Sequence, residues 1–155
     1  MPSAIDARLA ELGLTLPTPP PPVASYVPFV TAGKLVFVSG QICFADGKVS
    51  ATGKLGAEVD LETGVRAARD CAINLLAQAK AACGGDLGRL ARCVKLTAFV
   101  ASAPGFTDQP KVVNGCSELI GDVMGDAGKH ARSAVGVAVL PLDAAVEVEA
   151  IFELA

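Results

Sequence analysis

"KHARSAVGVAVLPLDAAVEVEAIFELA", Lys129 to Ala155, is the stretch whose reading decides the fold. In its second half Val146, Val148, Ala150, Phe152 and Leu154 fall on one parity, and Glu147, Glu149, Ile151 and Glu153 on the other. That period of two belongs to a strand with two unlike faces. Three carboxylates on one side need water, a cation or a proton, while Ile151 among them signals that part of this face is covered. The first half, Arg132 to Leu140, reads as another strand, joined to Ala145–Leu154 through "PLDA". Arg132 stands among Ala131, Ala134 and Val135. A guanidinium there keeps its charge, so its surroundings must supply an anion, and its planar fork suits a carboxylate held by two parallel hydrogen bonds. That anion is either a structural ion-pair partner or the acid group of a ligand. A simple hairpin about Leu142 and Asp143 would set Arg132 near Glu153 and leave Glu147 near Ala138, several residues away, so the sequence does not itself bring Arg132 and Glu147 together.

Working back from this stretch, glycines at 121, 125 and 128 punctuate the chain after a helix over about Thr107 to Val123, with Val112, Val113, Cys116, Leu119 and Ile120 on its apolar side. "CVKLTAFVA", Cys93 to Ala101, is apolar on both faces and reads as a deeply buried strand. Asp60 caps a helix beginning at Leu61, with Glu62 in its positive first turn, and Val65, Ala68, Ala72, Leu75, Leu76, Ala79 and Cys83 recur at three and four before Gly84-Gly85 ends it. Strand-forming runs lie around Val27 to Thr31 and Lys34 to Ile42, broken by turns at Ala32-Gly33 and Asp46-Gly47. Residues 3 to 13 make a short amphipathic helix stopped at Gly13, followed by "LPTPPPP", an extended spacer. This divides the chain into residues 1–22, the short helix and proline-rich spacer, and 23–155, a single domain. The order ββ(β)αβαββ, with no internal repeat and no GxGxxG, gives an α+β fold: a mixed sheet with two helices packed on one face. The other sheet face is apolar enough to predict packing between copies.

Composition narrows the function. The chain has 155 residues, 52% of them hydrophobic, and a net charge of −3. Its 13 lysines and arginines are scattered, whereas a nucleic-acid backbone asks for a basic stripe. No apolar run approaches the roughly 18 residues of a membrane span. Asp6 and Glu11 interrupt the start where a secretory signal needs a basic end and a clean apolar run. Five cysteines, with no C-x-x-C pair and a single histidine to join them, predict neither a disulfide framework nor a metal site. Buried thiols in a reducing, cytoplasmic setting are the expectation.

The segment "GKHARSAVGVAVLPLDAAVEVEAI", with "SYVPFV", "LVFVSGQI" and "VVNGCSEL" upstream in the same order, resembles the reactive intermediate deaminase family of the YjgF/RidA type, over about Pro22 to Leu154. The resemblance implies a chorismate-mutase-like fold and a homotrimer with active sites in clefts between subunits. It implies no cofactor. The activity it implies is hydrolysis of reactive 2-imino acids, or their enamine tautomers such as 2-aminoacrylate, to 2-oxo acids and ammonia. Carried across, Arg132 matches the arginine that holds the substrate carboxylate and Glu147 the glutamate that positions or activates water. Tyr26, Gly40, Gln41 and Asn114 match positions near the substrate. Ala134 stands where many members have cysteine, at a position used through its backbone. This chain is also longer than the compact family type, with the added N-terminal helix and the "GDVMGDAGKH" insertion, which fits a longer subgroup. The insertion places His130 two residues before Arg132, on the same side of an extended segment and so a candidate proton donor. The alternative function is a non-catalytic trimer that binds small carboxylates or 2-oxo acids.

Overall fold

The apolar parity of the last strand is the centre of the molecule. The computed structural model describes residues 1–21 and 25–155. Its five-stranded sheet has the order β1-β2-β7-β5-β6, built from β1 (Phe29–Ala32), β2 (Leu35–Ile42), β5 (Leu90–Ala101), β6 (Ala131–Val137) and β7 (Val146–Leu154). The short β3 (Phe44–Ala45) and β4 (Lys48–Val49) form a separate hairpin turned at Asp46-Gly47. Val146, Val148, Ala150 and Phe152 are buried on the face covered by two helices, α2 (Leu61–Ala82) over β7 and α3 (Gln109–Met124) over β5 and β6. The fold is thus the expected α+β mixed sheet with its long helices on one face.

Helix α2 starts where the sequence places it: the Asp60 side chain accepts the N–H of Thr63, and Ala68, Ala72, Leu75, Leu76 and Ala79 are fully buried. Gly115 of α3 lets the two helices close up, because a Cβ there would run into the backbone carbonyl of Val65. A third helix, α1 (Ala4–Glu11), joins this layer. Ser3 and Asp6 form a capping box, Ile5 and Leu9 reach the core, and Arg8 Nε donates to the carbonyl of Asp122 at 2.9 Å. The N-terminal helix is therefore packed into the same core as the sheet and the long helices. The boundary drawn between residues 22 and 23 falls at residues outside those described.

The last two strands do not form a simple hairpin. β6 pairs in parallel with β5, with Arg132 opposite Leu96, and β7 pairs antiparallel with β5 on its other edge, with Ala150 opposite Leu96. β5 is thus inserted between them. The physical reason lies in the connections. A strand–helix–strand crossover through α3 returns β6 alongside β5 in parallel, as such units do. The Pro141–Asp143 turn then carries the chain around the end of β5, where the N–H of Ala101 donates to the carbonyl of Ala145 at 2.9 Å. Leu142 and Asp143 take left-handed φ values of 57° in this turn.

The sheet face away from the helices carries a row that crosses every strand: Val30, Phe37, Ile151, Lys95 and Ala131. Val30, Phe37 and Val135 on this side are exposed. No helix of the described residues is long and apolar enough to cross a membrane.

Candidate functional site

Arg132 sits on the edge strand β6, on the parity that faces α3, and three residues on one side of that helix receive it. Nη1 donates to Asn114 Oδ1 at 2.9 Å and to Ser117 Oγ at 3.2 Å, and Nη2 donates to the carbonyl of Pro110 at 3.3 Å. Positions 110, 114 and 117 follow the i, i+4, i+7 spacing of a single helix face. All three acceptors are uncharged, and none of the ion pairs among the described residues involves Arg132. The guanidinium thus keeps its full positive charge. It has five N–H donors, so Nε–H and one Nη2–H are left without a protein acceptor among the described residues.

His130 is tied into the same group. Its Nδ1 lies 2.6 Å from the carbonyl of Gly128 and its Nε2 lies 2.9 Å from Ser117 Oγ. Asn114, His130 and Arg132 are therefore brought together. Ala134 lies next to them on the strand, on the parity of Arg132 and opposite buried Ala98. Ser117 and the Pro110 carbonyl were not picked out from the sequence. The available signal was the spacing of Ser117, one turn after Asn114 and polar within an otherwise apolar helix side.

Glu147 belongs to a second group. It is half-buried on β7, opposite Phe99 of β5 and Ile42 of β2, on the sheet face away from the helices. Its carboxylate lies against Gly40, where a Cβ would collide with Oε1. The register of β2 against β7 slips between Val38 and Gln41, so "SGQ" forms an irregularity over which the carboxylate folds. Gln41 Nε2 donates to the carbonyl of Ser39 at 3.0 Å. Ser39 in turn holds the segment after Tyr26: its N–H donates to the carbonyl of Pro28 and its Oγ to that of Val27 at 2.8 Å. Tyr26 is 65% exposed at this end. Burial pushes the Glu147 carboxyl above the usual glutamate range, and the neighbouring Glu149 charge pushes it further the same way.

These groups do not meet within one chain. Glu147 is level with Val135, three residues along from Arg132, and β5 lies between the two strands. They are separated by roughly 10 Å across the sheet and about 10 Å along it, and they project from opposite faces. Two shallow hollows, of about 320 and 280 Å³, lie on the helix-free face. Arg92, Lys129 and Glu153 line the first, Lys95, Thr97 and Glu149 the second, and neither reaches Arg132. Neither hollow therefore encloses the guanidinium.

The cysteines take no part in this arrangement. All five are free and buried, and burial drives the Cys93 thiol up to about 12 and the Cys71 and Cys116 thiols higher than usual. Cys71, Cys93 and Cys116 are thereby held as protonated, inert side chains. No group of three or more His, Cys, Asp or Glu residues that could hold a metal is formed among the described residues.

Comparison with known proteins extends over the same residues. The family model described as "YjgF/chorismate_mutase-like, putative endoribonuclease" matches residues 6–154. Protein TCP17 of Trypanosoma cruzi is 48% identical over 151 residues, covering 97% of this chain and 94% of that protein. The crystal structure of Atu1372 from Agrobacterium tumefaciens, a protein of unknown function, superposes with a TM-score of 0.91 at 50% identity, over 98% of this chain and 94% of that one. E. coli TdcF with bound serine is 27% identical and superposes at 0.60, over 89% of this chain and 94% of that one. Together with the superposition on Atu1372, the family match over nearly the whole chain places this protein in the YjgF/chorismate-mutase-like family.

Proposed function

We propose that this protein hydrolyses small 2-imino acids, and their enamine tautomers, to 2-oxo acids and ammonia in a cleft shared between copies of the chain. The observation that carries the proposal is the state of Arg132: uncharged acceptors hold one side of its fork, and two N–H donors are left over, the number a carboxylate takes up bidentately.

The chemistry follows from the residue types. The substrate carboxylate binds the Arg132 fork, which orients a ligand too small to offer much other contact. Its protonated imine carbon is electrophilic. Glu147 orients a water and takes its proton as the oxygen attacks, giving a tetrahedral amino alcohol. The same proton returns to nitrogen, Glu147 takes the hydroxyl proton as the C–N bond breaks, and ammonia leaves as the 2-oxo acid forms. Only protons and one water move, so a group held nearer neutrality by burial suits both halves of the exchange. Tyr26, Gly40, Gln41, Asn114 and the backbone at Ala134 shape the space around the substrate.

A ligand of a few atoms cannot touch Arg132 and Glu147 of one chain, given their opposite faces. The site therefore takes Arg132 from one copy and Glu147 from the next. Repeated around a ring, such a contact gives every copy one complete cleft, in keeping with a homotrimer. Val30, Phe37 and Ile151 on the helix-free face supply apolar surface to bury.

A second reading is a trimer that binds small carboxylates without turning them over. It is favoured by TdcF, a relative holding serine, whose carboxylate would suit the same fork. An endoribonuclease reading lacks a basic track for phosphates, since the net charge is −3 and the basic residues are scattered. The deciding experiment couples an amino-acid oxidase, which generates the imine, to this protein and follows 2-oxo acid release with and without 2-oxobutanoate. Accelerated hydrolysis that 2-oxobutanoate inhibits is the expected result. Binding of 2-oxobutanoate with no acceleration would establish the second reading instead.

A further inference from the structure

The imine-hydrolase reading leaves open what His130 does, and its hydrogen bonds answer with a role other than proton donor. We propose that His130 is a positioning residue: acting through Ser117, it fixes the Arg132 fork so that the Nε–H edge faces the ligand. This rests on the reading of Arg132 as the carboxylate-binding group.

The argument is one of donor direction. A carbonyl oxygen only accepts, so His130 Nδ1, 2.6 Å from the carbonyl of Gly128, carries the proton. In the neutral ring Nε2 is then a lone-pair acceptor, and Ser117 donates its hydroxyl proton across 2.9 Å. A guanidinium has no acceptor, so at 3.2 Å Arg132 Nη1 donates into the lone pairs of that same hydroxyl oxygen. The result is a one-way chain from Arg132 to Ser117 to His130 to Gly128, with every donor matched. Fixing the Ser117 proton on His130 turns its lone pairs toward Arg132, which a freely rotating hydroxyl would not do. Asn114 Oδ1 takes the other Nη1 proton. With both Nη1 protons committed, the guanidinium plane cannot rotate to offer its end-on edge.

The position of His130 argues against proton transfer to substrate from this ring. Both ring nitrogens are engaged by its own chain, one by the backbone and one by Ser117. The "GDVMGDAGKH" insertion accounts for the geometry. Its 3-10 turn, Gly125–Gly128, packs on α3 where Gly128 lies against the Ile120 carbonyl too closely for any Cβ, and so presents the Gly128 carbonyl to the ring. The insertion is a brace for the arginine.

The test is a double-mutant cycle with Ser117→Ala, His130→Ala and the pair, each checked for folding by circular dichroism. His130→Gln is included because its amide oxygen can reach the place of Nε2. A positioning role predicts that either alanine variant raises KM about fivefold with kcat changed less than about twofold, as expected for losing one indirect hydrogen bond to a charged group. The pair should be no worse than either single variant, and His130→Gln should recover most of the loss. A fall in kcat in His130→Ala with Ser117→Ala silent would overturn the proposal in favour of a proton donor. Additive losses would overturn it equally. If the parent shows no hydrolysis, the function fails but this inference is still decided by NMR. The Arg132 Nε–H signal, assigned by its absence in Arg132→Lys, should broaden alike in Ser117→Ala and His130→Ala. An unchanged signal in either variant refutes the relay.

Discussion

Arg132 and Glu147 are both half-buried ionisable groups on strands of one sheet, yet their surroundings treat charge in opposite ways. Around Arg132 every partner is a neutral acceptor, so the charge is held in place and left uncancelled. Glu147 is pressed onto the Gly40 backbone, and burial beside Glu149 favours its protonated form. The first environment suits binding an anion and the second suits exchanging a proton. The difference teaches that one sheet can hold a fixed charge on one face and a proton-retaining carboxyl on the other, and on the proposed reading association is what would bring the two into one cleft.

The largest effect expected is at the binding half. Arg132→Ala should lower kcat/KM for 2-iminopropanoate hydrolysis by about 10³-fold or more, with the melting temperature within about 3 °C of the parent, since the side chain is at an edge and contributes no core contact. Parental turnover by that variant would dissolve the comparison.

The proton-transfer half comes next. Glu147→Gln should lower kcat by about 10²-fold while KM stays within about threefold, because the amide keeps the shape but cannot take the water's proton. Unfolding Arg132→Ala and Glu147→Gln together and refolding the mixture sharpens the contrast. Mixed rings contain some clefts with both native residues, so activity should return, whereas two groups acting within one chain would give none.

A smaller effect is expected where the glutamate meets the sheet. Gly40→Ala places a methyl group at the position of Glu147 Oε1 and should lower kcat about tenfold through displacement of the carboxylate. A crystal structure of that variant should show the carboxylate moved off the backbone.

The smallest concerns stability against pH. A carboxyl raised by burial binds its proton more tightly in the folded chain than in the unfolded one. Its favourable contribution is complete below the ordinary glutamate range and is lost as pH rises through the raised value. Glu147→Gln should therefore melt about 1 °C above the parent at pH 7, and the gap should close near pH 3, as calorimetry at the two pH values can show.

Much of this architecture is legible in the residues. Asp60 and the three-and-four spacing of Ala68, Ala72, Leu75, Leu76 and Ala79 mark α2 because capping and amphipathicity are local properties. The parity of β7 is equally local. The partner of each strand is not: β6 and β7 are neighbours in sequence and look like a hairpin, yet the crossover through α3 makes β5 the partner of both. The candidate site divides along the same line. Arg132 is conspicuous because it is a charge set among alanines and valines. Ser117 is an ordinary helical serine until the turn at Gly125–Gly128 brings His130 onto it.

The sequence by itself determined which residues face inward, where α2 and α3 run, and that a lone guanidinium stands among apolar residues near the C-terminus, since these depend on side-chain chemistry and on periods of a few residues. Only the tertiary structure decided that Arg132 is braced through Ser117 by His130, and that it and Glu147 lie on opposite faces two strands apart. Those relations join residues distant in the chain, and strand order, crossover and register set them.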